Sequence, residues 1–353
     1  MNENVKKLLQ TTKPPVLSVS LGYLCRDLIL MSLYGLFVYI YTPYLPHNIW
    51  WIFYMVYSLV MGTLAIGPWV LAHECGHGAF APRIWQNDAI GFVLHSFLMV
   101  PYFPWKYSHA THHKNTNNII YGETHVPDVV GELVYKIHMY IHETIGPNLF
   151  AIFFIVEHLV LGWPAYLLFN ATGSKQGPSI LRNHFIPNDL FPPLSEYRVY
   201  LSTVAVGLVV YTLIKLDIMK WYIGPYLVMN SWLVTYTWLH HTSSSVPHFG
   251  PEDHSFIRGA LCTIDRPYPW LIDFLHHDIG SSHVIHHLNP RIPFHEAKRI
   301  TPALKKILGS HYNYDSNFPL VSLWDVAKNC HAVRSTDGTI YLESFSSLSK
   351  KEK

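Results

Sequence analysis

Residues 50–77, WWIFYMVYSLVMGTLAIGPWVLAHECGH, decide the fold class. From Trp50 to Leu71 there is no Asp, Glu, Lys or Arg. A helix rising 1.5 Å per residue needs about 20 apolar residues to cross a bilayer, so this run is long enough. It leads directly into His73-Glu74-Cys75-Gly76-His77, where two imidazoles stand four residues apart on one helical face. A membrane span thus ends on a metal-ligand spacing at the edge of the bilayer.

Neighbouring runs extend the pattern. Leu21 to Tyr44 is apolar, follows Lys6, Lys7, Lys13 and the helix-breaking Pro14-Pro15, and is joined to Trp50 by a turn without lysine or arginine. Positive charge before the first span and none in the turn put the N-terminus in the cytosol. Val199 to Leu216 and Trp221 to His240 form a second hairpin across Asp217-Ile218-Met219-Lys220. Ile90 to Pro101 is too short to cross, and residues 114–148 read as polar and irregular. Leu149 to Phe169 is apolar but carries Glu157 and His158 mid-run, which is costly inside a bilayer. The histidine clusters must share one side, so parity makes 149–169 re-entrant or interfacial. Four spans result, 21–44, 50–71, 199–216 and 221–240. They carry a cytosolic helical cap (72–148 and 241–330) and a tail (331–353), all in one domain over 1–353.

Composition agrees: 50% of the 353 residues are hydrophobic and 14% charged, against about 25% charged in soluble domains. A net charge of +2 gives no reason to expect a nucleic-acid partner. Cys25, Cys75, Cys262 and Cys330 are scattered, which fits a reducing, cytosol-facing chain without a disulfide framework. The N-terminus lacks the pattern of a signal peptide.

The 24 histidines are the compositional anomaly. Ser108-His109-Ala110-Thr111-His112-His113 and Ser282-His283-Val284-Ile285-His286-His287 share an H-x-x-H-H spacing. On a helix, positions i, i+3 and i+4 are neighbours, so each cluster is expected to offer two or three nitrogens to one point. Eight imidazoles in three groups exceed the three or four that one zinc takes, and imidazole suits iron. The expectation is a polyhistidine di-iron site of His73, His77, His109, His112, His113, His283, His286 and His287. The His240-His241 pair ending the last span aims at the same zone and offers one further ligand from either residue, and His276-His277 is a weaker candidate. Glu74, Asp253, Asp265 and Asp278 are candidate acids for holding the ligands' second nitrogens. Cys75 faces away from the His73–His77 stripe and reads as packing. Scattered histidines such as His47, His138, His142, His184, His254, His311 and His331 read as ordinary polar residues.

Such a site at a membrane surface suits dioxygen chemistry on an unactivated C–H bond of a lipid acyl chain. No GxGxxG fingerprint occurs, so electrons come from a separate donor. A histidine-rich metal transporter is the competing class, but it requires ionisable residues along a span, and only Glu157-His158 offers that.

These motifs resemble the membrane fatty acyl desaturases, and within them the oleate Δ12/ω3 group. The resemblance includes Leu94-His95-Ser96 through Pro101-Tyr102, Trp105-Lys106-Tyr107-Ser108-His109, Leu161-Gly162-Trp163-Pro164 and Arg258-Gly259-Ala260 through Asp265-Arg266, over residues 20–330. It implies an all-α membrane fold, two irons, dioxygen, and electrons from cytochrome b5 and its NADH-dependent reductase. It also implies a cis double bond placed in a lipid-esterified acyl chain, and it adds His241 as a ninth ligand. No His-Pro-Gly-Gly haem motif occurs, so cytochrome b5 is expected as a separate partner. Gly78 leans toward ω3 members and Lys114-Asn115-Thr116-Asn117 toward Δ12, which leaves regiochemistry open. Hydroxylases, epoxygenases, acetylenases and conjugases share the clusters and stay in view, and oligomeric state is open. Lys350-Lys351-Glu352-Lys353 resembles an endoplasmic-reticulum retrieval signal, implying that membrane and a cytosolic C-terminus.

Overall fold

The structure, a computed structural model, describes residues 3–174 and 182–352; Lys175 and Lys353 lie outside them. Helix α1 (Glu3–Gln10) is separated by the Pro14-Pro15 segment from α2 (Leu17–Tyr41), and α3 (Trp50–His77) follows a short turn. Next come α4 (Ile84–Phe97), α5 (Tyr102–Lys114), strand β1 (Asp128–Val129), α6 (Leu133–Ile145) and α7 (Pro147–Phe169). After these come α8 (Glu196–Lys215), α9 (Met219–His241), β2 (Pro247–Phe249), α10 (Phe256–Leu261), α11 (Trp270–Leu275), α12 (His283–Leu288) and α13 (Phe294–Leu308). The chain closes with α14 (Pro319–Asn329), β3 (Ala332–Val333), β4 (Thr339–Tyr341) and α15 (Phe345–Glu352). The fold is helical. Among the described residues the strands form two short pairs, β1 parallel to β3 and β2 antiparallel to β4.

Among the described residues, four stretches are long and apolar enough to cross a membrane: Leu17–Tyr44, His47–His77, Pro147–Phe169 and Glu196–Lys215. Helix α9 is not in that set, because Trp, Tyr, Pro, Asn and Ser residues spread along its whole length lower its hydropathy. It nevertheless packs along the whole of α3. The Tyr54 hydroxyl donates to the Lys220 carbonyl, Tyr57 to Trp221, and the Trp232 indole to Thr63 Oγ1. Residue numbers rise together along both helices, so α3 and α9 run parallel and deliver His73, His77 and His241 to the same end. Gly62 allows this approach: a Cβ there would lie 2.5 Å from the Pro225 carbonyl oxygen.

Helix α7 begins and ends at that histidine end. Near its start, Phe150 packs on His142 of α6 and on His331, and toward its middle Phe154 and His158 pack on Trp238, one turn below His241, with ring centroids 5.6 and 4.3 Å away. Near its end, the Tyr166 hydroxyl donates to Ser108 Oγ at 3.0 Å. A helix whose two ends both meet the cap lies across the bundle. Helix α8 starts at the same level, with Ser202 Oγ accepting the Phe103 amide, and runs away to the turn before α9.

Two expectations need correction. Residues 114–148 are not irregular throughout. They contain α6, which buries Tyr135, Met139 and His142 while exposing Leu133, Ile137 and Tyr140. Its aliphatic residues Leu133, Val134, Ile137 and Ile145 share one exposed stripe, and the opposite face, with Tyr135, Met139 and His142, is the buried one. The second span does not stop at Leu71 either, because α3 continues through His77. It ends at Gly78, whose φ of 72° is the left-handed conformation that closes helices.

Candidate metal centre

Four elements supply the histidines. Helix α3 carries His73 and His77, α5 carries His109, His112 and His113, α9 ends on His241, and α12 carries His283, His286 and His287. Their ring nitrogens meet in two neighbouring groups. In one, ligand atoms of His73, His77, His109, His113 and His286 all lie within 4.8 Å of one another; in the other, those of His112, His241 and His287 do. His283 joins the second group through its Nε2, 3.1 Å from His241 Nε2. The groups touch where the His113 and His287 rings stack at 4.1 Å.

The H-x-x-H-H spacing therefore does not aim at a single point, as expected from sequence. Residues i and i+4 share a stripe while i+3 stands about 100° from i+4, which is enough to reach a different centre. On α5 the pair His109 and His113 serves the first group and His112 the second. On α12 the sense is reversed: His286 serves the first group, while His287, with His283 beside His241, serves the second.

The donor chemistry fits a pair of metal ions. Facing Nε2 atoms are separated by 2.9 Å in His73–His109 and 3.2 Å in His77–His73, His113–His109 and His112–His241. Two nitrogens bound at right angles to one ion at ~2.1 Å lie ~3 Å apart, so these are separations of atoms sharing an ion. Buried nitrogens without a partner among the described residues include His286 Nε2 and His287 Nε2. Burial pushes the His286 and His112 rings down to about 3 and about 4, and neighbouring imidazoles add to this at His286. His109, His113, His283 and His287 are also lowered, by burial first and then by neighbouring histidines. All are neutral at pH 7, the form that binds metal.

Behind the ligands, His112 Nδ1 donates to the Glu123 carbonyl at 2.7 Å, and His287 Nδ1 meets Thr116 Oγ1 at 3.1 Å. Two of the four candidate acids have structural roles here, and Glu74 Oε1 also stands 3.8 Å from His73 Nδ1, the second nitrogen of that ring. Asp265 Oδ1 accepts the Val284 amide at 2.8 Å, satisfying the first turn of α12, while its other oxygen takes the Tyr312 hydroxyl. Glu74 Oε2 accepts the Phe294 amide at 3.0 Å, the first residue of α13, and so ties α3 to the segment after the third cluster. Asp278 pairs with Lys298, and the Asp253 carbonyl accepts from Arg258; neither meets a ligand ring.

His240 and His276-His277 are not in either group. His240 stacks on His283 at 4.2 Å. His276 bridges the Tyr236 hydroxyl and the Thr63 carbonyl, and His277 pairs with Asp27 at 2.7 Å, fastening the cap to α2, α3 and α9. Cys75 is buried beside Gly91, as packing requires. Glu157 pairs with His138 at 3.2 Å rather than lining a transport path.

Sequence reasoning missed His125, whose ring lies parallel to His241 at 6.0 Å, and the set Tyr166, Ser108, His184 and Glu123 behind α5. No spacing announces them. His125 comes from a loop at φ 51°, and His184 reaches Ser108 across 76 residues.

With this geometry in place, comparison with known proteins is decisive. The fatty acid desaturase family model matches residues 22–318. The chain belongs to the fatty acid desaturase family. The chain is 34% identical to an endoplasmic-reticulum omega-6 fatty acid desaturase of Brassica juncea over 88% of its own length and 81% of the relative's. A bifunctional fatty acid conjugase/Δ12-oleate desaturase of Punica granatum is 36% identical over 92% and 82%. An oleate hydroxylase of Claviceps purpurea is 35% identical over 89% and 73%. This desaturase-family chain is thus a membrane oxidoreductase acting on lipid, with a histidine cluster suited to metal.

Proposed function

We propose that the chain is an acyl-lipid desaturase placing a cis double bond toward the methyl end of an esterified fatty acyl chain, at Δ12 of oleate. The observation that carries this reading is the reciprocal split of the two H-x-x-H-H helices between two histidine groups, in a chain whose relatives are named for Δ12 chemistry. The nine histidines would hold two iron ions, which when bound supply dioxygen activation and hydrogen abstraction from an unactivated carbon. Electrons come from cytochrome b5, and the enzyme resides in the endoplasmic reticulum with both termini in the cytosol.

The protein's own part is to present neutral nitrogens, fix their directions and exclude water. Burial keeps the imidazoles unprotonated, while hydrogen bonds from His112 to Glu123 and between His287 and Thr116 orient two rings. Trp105 stacks on His109 at 4.7 Å, with Trp69 at 5.8 Å from His73, forming an aromatic wall on the side of the spans. Gly76 makes room for it, since a Cβ there would lie 2.7 Å from the Trp105 ring.

The test is the fatty acid profile of yeast expressing the chain, with and without linoleate. New linoleate supports Δ12 activity. α-Linolenate only on feeding would move the assignment to ω3, and hydroxy acids would move it to hydroxylation. An unchanged profile from iron-loaded, membrane-inserted protein would refute the enzymatic reading.

A further inference from the structure

Helix α11 lies in the part of the sequence that composition assigned to the cytosol, yet its attachments are deep. His276 donates to the carbonyl of Thr63, and a Cβ on Gly67 would stand 3.0 Å from the Leu275 carbonyl oxygen. Thr63 is 14 residues before His77 on α3, ~21 Å along the helix axis. At that depth α11 turns three large apolar side chains outward: Trp270 is 78% exposed, Leu271 47% and Phe274 47%. Phe274 lies under the Arg26 guanidinium at 4.3 Å, and one turn further along α2 stand the exposed Leu28 and Ile29. The face is therefore continuous with the apolar flank of a helix long enough to cross a membrane. An exposed tryptophan near an arginine whose guanidinium rests on an aromatic ring is the composition of a bilayer interface.

We infer that the α11 face formed by Trp270, Leu271 and Phe274 is seated in phospholipid, in the leaflet on the histidine side. The cap then reaches back into the membrane just before the third histidine cluster, and this seat sets the height of α12 above the acyl chains. Seven residues separate Leu275 from His283, and the clasp of His276 and His277 on α2, α3 and α9 leaves α11 no freedom to swing away. The inference rests on α3 crossing the membrane.

The experiment uses the full chain in phosphatidylcholine nanodiscs, with the exposed Cys25 replaced by Ser and a nitroxide at Leu271→Cys or, separately, Trp270→Cys. A third label at Leu208→Cys, exposed on α8, reports on the spans themselves. Collisional relaxation by oxygen and by a water-soluble nickel chelate is read at each site. Both α11 labels are expected to respond to oxygen several-fold more than to the chelate, as Leu208 does. Chelate access at 270 and 271 with oxygen preference at 208 would overturn the seat and leave the membrane reading intact. Access to neither reagent on α11 would mean that protein covers the face, and would equally overturn it. Chelate preference at all three sites would remove the membrane reading, and the inference with it.

Discussion

At the scale of single residues the two histidine groups are unequal, and that inequality is testable. The group of His112, His241, His283 and His287 has four members and His241 is its centre, with His112 Nε2 and His283 Nε2 both facing His241 Nε2, whereas the five-membered group keeps four imidazoles when any one is lost. His241→Ala is therefore expected to lower iron from about two to about one per chain by elemental analysis, and to abolish desaturation. His240→Ala, outside both groups, should retain both ions. Acid should act on the same residues. The His286 and His112 rings titrate at about 3 and about 4 in the fold, below the usual 6.5. Between those values the unfolded chain binds protons that the native chain refuses, so stability falls as pH drops below 6.5. Each such ring contributes ~1.4 kcal/mol per pH unit. The melting temperature of the iron-free protein should be level above about pH 7 and fall steadily toward pH 4; a level profile across that window would contradict the burial. That the eight cluster histidines would be gathered together was legible because helical spacing repeats three times in the sequence. Their division between two groups was not, because it depends on how α5 and α12 are rotated against each other.

At the scale of elements, the centre depends on short helices whose ends are satisfied by distant carboxylates. Helix α12 is six residues long and too short to be stable alone. Asp265, buried and bonded to the Val284 amide and the Tyr312 hydroxyl, holds its start. Asp265→Ala leaves both donors unsatisfied and should cost ~1–3 kcal/mol in thermal unfolding, with a matching loss of iron. Asp265→Asn keeps an acceptor oxygen for Val284 and should recover part of both. Close packing of α4 is a second element-level constraint. A Cβ on Gly91 would lie 2.4 Å from the Tyr102 ring and 2.8 Å from Cys75 Cβ, so Gly91→Ala should destabilise by ~1–3 kcal/mol. Asp265 could be named from sequence as an acid near the ligands, but not as the cap of α12, since the two are joined only by folding. Helix α6 does carry a helical period, with Leu133, Ile137 and Ile141 on one face, but it buries the opposite face of Tyr135, Met139 and His142, a choice made only by folding.

At the scale of the whole molecule, direction is what brings the clusters together. Four long apolar helices were legible from hydropathy, yet the set selected by length and hydropathy includes α7 and leaves out α9. Contacts reverse the emphasis: α9 runs parallel to α3 from Tyr54–Lys220 up to Thr63–Trp232, whereas α7 meets the cap at both ends. If α7 crossed, α8 would start on the far side from Tyr107, but Arg198 Nη1 donates to the Tyr107 hydroxyl at 3.2 Å, beside the second cluster. These contacts favour the expected spans α2, α3, α8 and α9, a topology that predicts the turns around Pro46 and Asp217 on one side and the histidine clusters on the other. In sealed microsomes, protease sites inserted after Thr12 and after Ser335 should be cut without detergent. Sites inserted in the turns at Pro46 and Asp217 should be cut only after solubilisation. A site placed in the loop after Phe169 discriminates most sharply. With α7 lying across the bundle it is cut in intact vesicles like the two ends, and protection of that site alone would mean that α7 crosses and that α8 enters the membrane from the opposite face.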